Sequence, residues 1–367
     1  MRIDRVEAIP FRIPLKKPTR WGAHGKMTAS EHVLVRVYGD SGAVGVAEAT
    51  PRPTIYGETQ VSIVHVIAEH FAPRLTGLNP LDRQGYWAVL DSIPWNPTAK
   101  GGLDIAIHDL MAQELGISLA ELLGGRPIPV PISYLVGLGT VEELLEEAGG
   151  IRELTGVNAF KVKAGADPAG DVERVRLLRQ ALGDEGFIFI DANQLYSPEV
   201  AIRVINEMAA HGLAMAEEPV PVHLGVYRRK VADAVTVPIL ADDSVITLAE
   251  ARRELEGGAI GVMGIKTPRT GMVNSLKILH LAEAFGVPCW VGSQGVSGVG
   301  TLASAHFYGA ASRNIPFPAD LGTYLKQVDD LLETPIDLRD GRIHLPDLPG
   351  SGARIDEAKL KQYRMDR

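Results

Sequence analysis

The spacing of hydrophobic and polar positions changes character near residue 125. Before it, "MRIDRVEAIPFRIP" alternates with a period of two, and "EHVLVRVYGDSGAVGVAEAT" reads as two alternating runs about a "GDSG" turn, a hairpin pattern. "TQVSIVHVIAEHFAPRL", "LDRQGYWAVLDSI" and "GLDIAIHDLMAQELG" then carry apolar residues at helical spacing, with "LLGG" closing the series. Strands followed by helices predict an α+β unit over residues 1–125.

Beyond it, short apolar runs ending in polar residues recur: "PISYLVG", "AFKVKAG", "FIFIDAN", "LAMAEEP", "PILADDS", "GVMGIKTP", "PCWVGSQ" and "NIPFPADL". Helical stretches such as "DVERVRLLRQAL" and "NSLKILHLAEAFG" separate many of them, which predicts a parallel α/β sheet over 126–320. From Lys163 the polar run-ends fall 28 residues on at Asp191, then 26 to Glu217, 25 to Asp242, 24 to Lys266, 27 to Ser293 and 27 to Asp320. Each interval fits one strand, one helix and two loops, and eight such strands close a barrel whose functional residues gather at the strands' C-terminal ends. The rhythm is lost over 321–367, where "RDGRIHLPDLPGSG" reads as a short hairpin, and this segment is expected to pack back against the first unit.

Composition narrows the functional classes. The 367 residues are 46% hydrophobic and 22% charged, as in an ordinary globular protein large enough for about two domains. The longest uncharged stretch, between Glu283 and Arg313, is broken by Pro288, Gln294 and several Gly and Ser residues, so it predicts buried barrel interior rather than a membrane span. A net charge of −8, from 37 basic and 45 acidic residues, gives no general attraction to nucleic acid or to an anionic membrane and directs attention to a small molecule. The single cysteine, Cys289, excludes an internal disulfide, and the N-terminus lacks a continuous apolar signal core, so a cytoplasmic location is expected.

Three carboxylates, Asp191, Glu217 and Asp242, end three successive predicted strands. Adjacent barrel strand-ends converge, so without a cation these anions would repel and raise one another's pKa. An oxygen-only donor set suits a hard cation: Mg²⁺ first, with Mn²⁺ as the alternative. Lys161 and Lys163 share a face of the preceding strand, and Lys266 enters from the strand after, so an ammonium flanks the metal on each side. Positive neighbours, the metal and desolvation are expected to lower a lysine's pKa, with Lys161 tuning Lys163.

The set "KVK" (161–163), "DAN" (191–193), "EEP" (217–219), "ADDS" (241–244) and "IKTPRTG" (265–271) resembles the enolase superfamily, in its muconate lactonizing subgroup. "GLDIAIHDLMAQELGISLAELLGG" and "DGRIHLPDLPGSGARID" are similar to the family's cap helix and C-terminal segment, so the resemblance spans nearly the whole chain. It implies a (β/α)7β barrel under an α+β cap completed by the tail, one Mg²⁺, a metal-stabilised enolate, and a homo-oligomer, often an octamer. Of the activities it implies, the leading expectation is isomerisation of cis,cis-muconate to muconolactone in aromatic catabolism, with Lys163 as general acid. The alternatives are N-acylamino acid racemisation or o-succinylbenzoate synthesis, and, in another class, a non-catalytic binding protein.

Departures from the family pattern bear on the substrate. Glu218 stands where Gln is common, Asp243 where Glu is common, and Val296 where relatives often have Glu. Family members that epimerise dipeptides resemble an Asp-x-Asp pattern at the eighth strand, but here Asp320 is followed by Gly322, which argues against an amine-bearing substrate. Between Glu7 and Glu31 no acid occurs, whereas Arg12, Lys16, Lys17, Arg20, His24 and Lys26 do, which suits the second carboxylate of a small dicarboxylate. His24, Tyr56, Asn193 and Asp320 are the candidate substrate contacts, with Trp21 beside His24 in the same small-residue loop.

Overall fold

The structure, a computed structural model, describes residues 1–20, 26–137 and 139–366. The N-terminal strands β1 (Ile3–Arg20), β2 (Lys26–Gly39) and β3 (Val44–Ala49) form an antiparallel sheet in that order. The period-two pattern acts as expected: Ile9, Phe11 and Ile13 are buried while Arg12 and Pro14 are exposed. Pro10, Pro14 and Pro18 are tolerated because β1 is an edge strand. Their carbonyls still accept, and the tail uses two of them: Met365 N–H donates to Pro10 O (2.8 Å) and Val328 N–H to Pro14 O (3.0 Å).

Helices α1 (Gln60–His65), α2 (Ala72–Leu75), α3 (Arg83–Asp91), α4 (Pro97–Leu115) and α5 (Leu119–Leu122) follow. Between α1 and α2 one turn, Val66–Phe71, widens to π form just ahead of Pro73, which has no N–H to continue the regular ladder. The long helix α4 is buried along most of its length, packed between β3 and the barrel helix that follows Lys266. Gly45 permits this approach, since a Cβ there would lie 2.0 Å from Ala106 O.

The next two strands, β4 (Val130–Pro131) and β5 (Tyr134–Val136), lead into α6 (Val141–Thr155), β6 (Ala159–Lys163), α7 (Pro168–Leu182), β7 (Phe187–Asp191), α8 (Pro198–Ala209) and β8 (Leu213–Glu217). The alternation continues through α9 (Gly225–Ala234), β9 (Ile239–Ala241), α10 (Leu248–Gly257), β10 (Val262–Ile265), α11 (Thr267–Ala284), β11 (Cys289–Val291) and α12 (Gly298–Ala311). Helix starts follow local chemistry: Thr140 with Glu143, and Thr247 with Glu250, form reciprocal caps. Strands β5 to β11 lie side by side and parallel.

The ring closes at "PADL", where Asp320 N–H donates to Val291 O (2.9 Å), Ala319 N–H to Pro131 O (2.9 Å) and Ser133 N–H to Ala319 O (2.7 Å). The fold is therefore the expected barrel, with its eighth strand reduced to a bridge. Phe189 on β7 and Trp290 on β11 belong to non-adjacent strands yet meet edge-on at 5.7 Å, so they cross the interior. Met215, Leu240 and Val262 complete this buried plug.

Two expectations need revision. The uncharged stretch supplies barrel interior only through β11, because α12 lies outside the barrel, buried against α5, α11 and β3. An outer helix covered on several sides can be apolar all round. The tail touches both units: its hairpin, β12 (Asp337–Arg339) and β13 (Arg342–His344), pairs with β4, while α13 (Glu357–Tyr363) reaches β1. Among the described residues no helix is long and apolar enough to cross a membrane.

Candidate active site

Strand register builds the site. Lys163 pairs with Asp191 and Asp191 with Glu217 across β6, β7 and β8, so these three side chains form a row at the strands' C-terminal ends. Asp242 and Lys266 continue it, each one residue beyond its strand. Lys161, two residues below Lys163, points the same way, with its ammonium 5.0 Å from the centre of the Trp290 ring.

Lys161 Nζ lies 2.6 Å from Glu217 Oε2 and 3.3 Å from both Asp191 Oδ2 and Asp320 Oδ2. Lys163 Nζ donates to Asp191 Oδ2 (2.6 Å) and to Asn193 Oδ1 (2.7 Å). Lys266 donates to Asp242 Oδ2. All six side chains expected to carry the metal and lysine chemistry are buried in one site, together with buried Asp320 and half-buried Asn193.

Burial works against every charge here, and the neighbours decide each outcome. Burial raises the Asp191 and Asp242 carboxyls, but Lys163 and Lys161 outweigh it at Asp191, and Lys266 and Arg269 at Asp242, leaving both below the usual range. At Glu217 burial and the Asp191 charge prevail over Lys161 and push the carboxyl well above it. Burial lowers Lys161 and Lys266, yet Glu217 and Asp191 around the first, and Asp242 beside the second, hold both above the ordinary lysine value. Here the carboxylates act as partners of Lys161 and Lys266, whereas the lowering expected from sequence belongs to a site in which the same carboxylates hold a cation.

The donor set carries carboxylate oxygens with no hydrogen-bond partner, which suit a divalent cation. Both carboxylate oxygens of Glu217 and Oδ1 of Asp242 are buried without a hydrogen-bond partner, although Lys161 and Arg269 (3.1 Å from Asp242 Oδ1) approach at ion-pair distance without the angles of a bond. Orphaned, oxygen-only carboxylates fit a hard cation such as Mg²⁺. Among the described residues no three acidic, His or Cys side chains already form a metal-holding group, since Lys161 stands among Asp191, Glu217 and Asp320. The fit therefore lies in donor chemistry and not in a finished cage.

Arg269, Tyr56 and Asn193 hold this row in place. Arg269, fully buried, donates through Nη2 to Asp242 O and Val245 O (2.8 Å each) and through Nη1 to Tyr56 Oη (3.1 Å). Tyr56 Oη also accepts from Gln294 Nε2 (2.6 Å), so Tyr56 ties the cap to the barrel mouth. Asn193 N–H donates to Asp191 Oδ1 (2.9 Å). Asn193, Gln194 and Glu218 all have positive φ (43°, 68° and 38°), a concentration of unfavourable backbone at the strand ends. Asn193 and Glu218 carried a signal, in "DAN" and "EEP", whereas Gln194 did not.

The cleft above the row measures ≈ 820 Å³, including its open mouth. Its outer wall is apolar, with Leu15, Met27, Ile55 and Leu135, and also carries Arg52 and Lys326. Among the described residues of the basic cap segment, none of the expected cations lines this cleft. Lys16 and Lys17 line a neighbouring cavity, and exposed Arg12 pairs with Glu31 (3.1 Å). Trp21 and His24 lie outside the described residues, as do the side chains of Arg20 and Lys26.

Sequence comparison decides the family. Residues 143–359 match the enolase C-terminal domain-like model, and residues 6–124 match that of the mandelate racemase / muconate lactonizing enzyme N-terminal domain. The chain belongs to the enolase superfamily. Within the superfamily it is similar to the solved muconate lactonizing enzyme from Mucobacterium smegmatis complexed with muconolactone, with 40% identity, TM-score 0.96 and 100% coverage of both chains. It is 31% identical to a chloromuconate cycloisomerase of Cupriavidus pinatubonensis (99% of each chain) and 34% identical to an L-Ala-D/L-Glu epimerase of Bacillus subtilis (98% of this chain, 99% of the relative). This superfamily member therefore has isomerase relatives of two chemistries.

Proposed function

We propose that this enzyme is a muconate cycloisomerase, converting cis,cis-muconate to muconolactone in aromatic-compound catabolism. The observation that carries the choice is at the eighth strand. Asp320 is already engaged by Lys161, and a Cβ on Gly322 would lie 2.8 Å from the backbone oxygen of Ser133. A second acid there, to hold a substrate ammonium, would require this backbone to shift. The likeness to the lactonizing enzyme over the full length of both chains supports the same reading.

Asp191, Glu217 and Asp242 would hold Mg²⁺, which supplies positive charge where negative charge builds on the substrate's proximal carboxylate. An oxygen of the distal carboxylate adds to the carbon β to the proximal carboxylate. A C–O bond forms, the π pair moves toward the proximal carboxylate, and the α-carbon takes a proton from Lys163 Nζ, which solvent then restores. Hydrogen bonds to Asp191 and Asn193 aim that ammonium. Lys266 keeps positive charge at the other end of the row, and Leu15, Met27, Ile55 and Leu135 shield the diene from water.

The test is incubation with Mg²⁺ in D₂O, with cis,cis-muconate and separately with N-succinyl amino acids. Loss of the diene absorbance is expected, with deuterium in the lactone, and Lys163→Ala should slow it by roughly 10²–10⁴-fold. Exchange at the amino-acid α-carbon without diene loss would replace this reading by racemisation.

A further inference from the structure

Behind the row lies a buried charge pair that the reaction does not use directly. Glu218 follows Glu217, and its positive φ turns the side chain away from the cleft and beneath the end of β9. There Oε1 accepts from Asp242 N–H (2.7 Å), Ser244 N–H (2.9 Å) and Ser244 Oγ–H (2.6 Å), while Oε2 accepts from Arg228 Nη2. Arg228, on α9, also donates through Nη1 to Ser244 Oγ (2.7 Å) and to Glu254 Oε2 on α10 (3.0 Å). One carboxylate oxygen thus holds the backbone on both sides of Asp243 and fixes the residue that presents Asp242.

We infer that Glu218 and Arg228 are positioning residues that set the Asp242 carboxylate for the cation. The inference rests on the proposed role of Asp242 as a metal ligand. The superfamily's common Gln at 218 would keep an acceptor for the Asp242 and Ser244 N–H groups but turn an N–H₂ toward Arg228. Glu218 and Arg228 are a buried pair in which changing either partner alone strips the other's charge of its main counterpart. Groups that orient metal ligands change metal affinity by about 10–100-fold when removed.

Mn²⁺ binding, followed by electron paramagnetic resonance with thermal melting alongside, separates this role from a simple brace. Glu218→Gln and Arg228→Met should each weaken Mn²⁺ binding by about 10–100-fold, and the double variant should recover most of that loss. If a single variant fails to fold, Ser244→Ala removes one arm of the network and should weaken Mn²⁺ binding by about threefold or more. Single variants that melt lower yet bind Mn²⁺ as the parent does would overturn the inference, leaving a structural brace. A double variant as weak as the singles would also overturn it, since the Glu218 charge itself would then matter. An Asp242→Asn control keeps the two readings apart: if Asp242→Asn binds as tightly as the parent, the ligand role fails, and the positioning role with it.

Discussion

Lys161 and Lys163 show how far a two-residue spacing carries. Their common face follows from the pleat, and their service to one site follows from the ring of carboxylates that the repeat spacing predicts. What a single ammonium touches was less accessible, because Lys161 meets acids from three other strand-ends, including Asp320 at the closing bridge. Gly322 is a sharper case, since its absence of a side chain is visible in sequence but its reason is a contact with Ser133. Adding a methyl there forces Ser133 or the loop to move, and Gly322→Ala should cost about 1–3 kcal/mol, read as a lower urea midpoint at constant slope. An unchanged midpoint would show that the loop yields, reopening space for an acid and hence the epimerase reading.

At the scale of elements, helices and strands were written plainly, but their partners were not. Asp104 on α4 accepts from Met272 N–H (2.5 Å) and Val273 N–H (3.1 Å), capping the part of α11 beyond the break at Gly271, a link across 168 residues that no local pattern announces. His306 on α12 is another such link. Its Nδ1 accepts from Ala120 N–H (3.2 Å) on α5, leaving the Nε2 proton for Ser351 O (3.2 Å) in the tail. Burial depresses the imidazole from 6.5 to about 4. Between those values the unfolded chain takes a proton that the folded chain refuses, so stability falls as pH drops from 6.5 toward 4. The loss attributable to this group is on the order of 3 kcal/mol, and His306→Gln should flatten that part of a pH series of denaturation midpoints. A variant with the same slope would assign the acid sensitivity elsewhere.

For the whole molecule, the tail matters as much as the repeat. Leu360 of α13 packs with Ile9, Phe11 and Ile13, and residues 328 and 365 occupy carbonyls along the outer edge of β1. Removing residues 357–367 should bare that edge and its buried face, giving association in light scattering and a lower melting temperature. A monodisperse, equally stable product would show the edge to be protected by its prolines alone. The dependence of β1 on the tail also sets an order of assembly. Pro10 is made 355 residues before its edge partner Met365, which at about 5–20 residues per second leaves the strand waiting for tens of seconds. Its three prolines are then the nascent chain's own safeguard, keeping a long strand with one apolar face from pairing with a neighbour before its proper cover arrives.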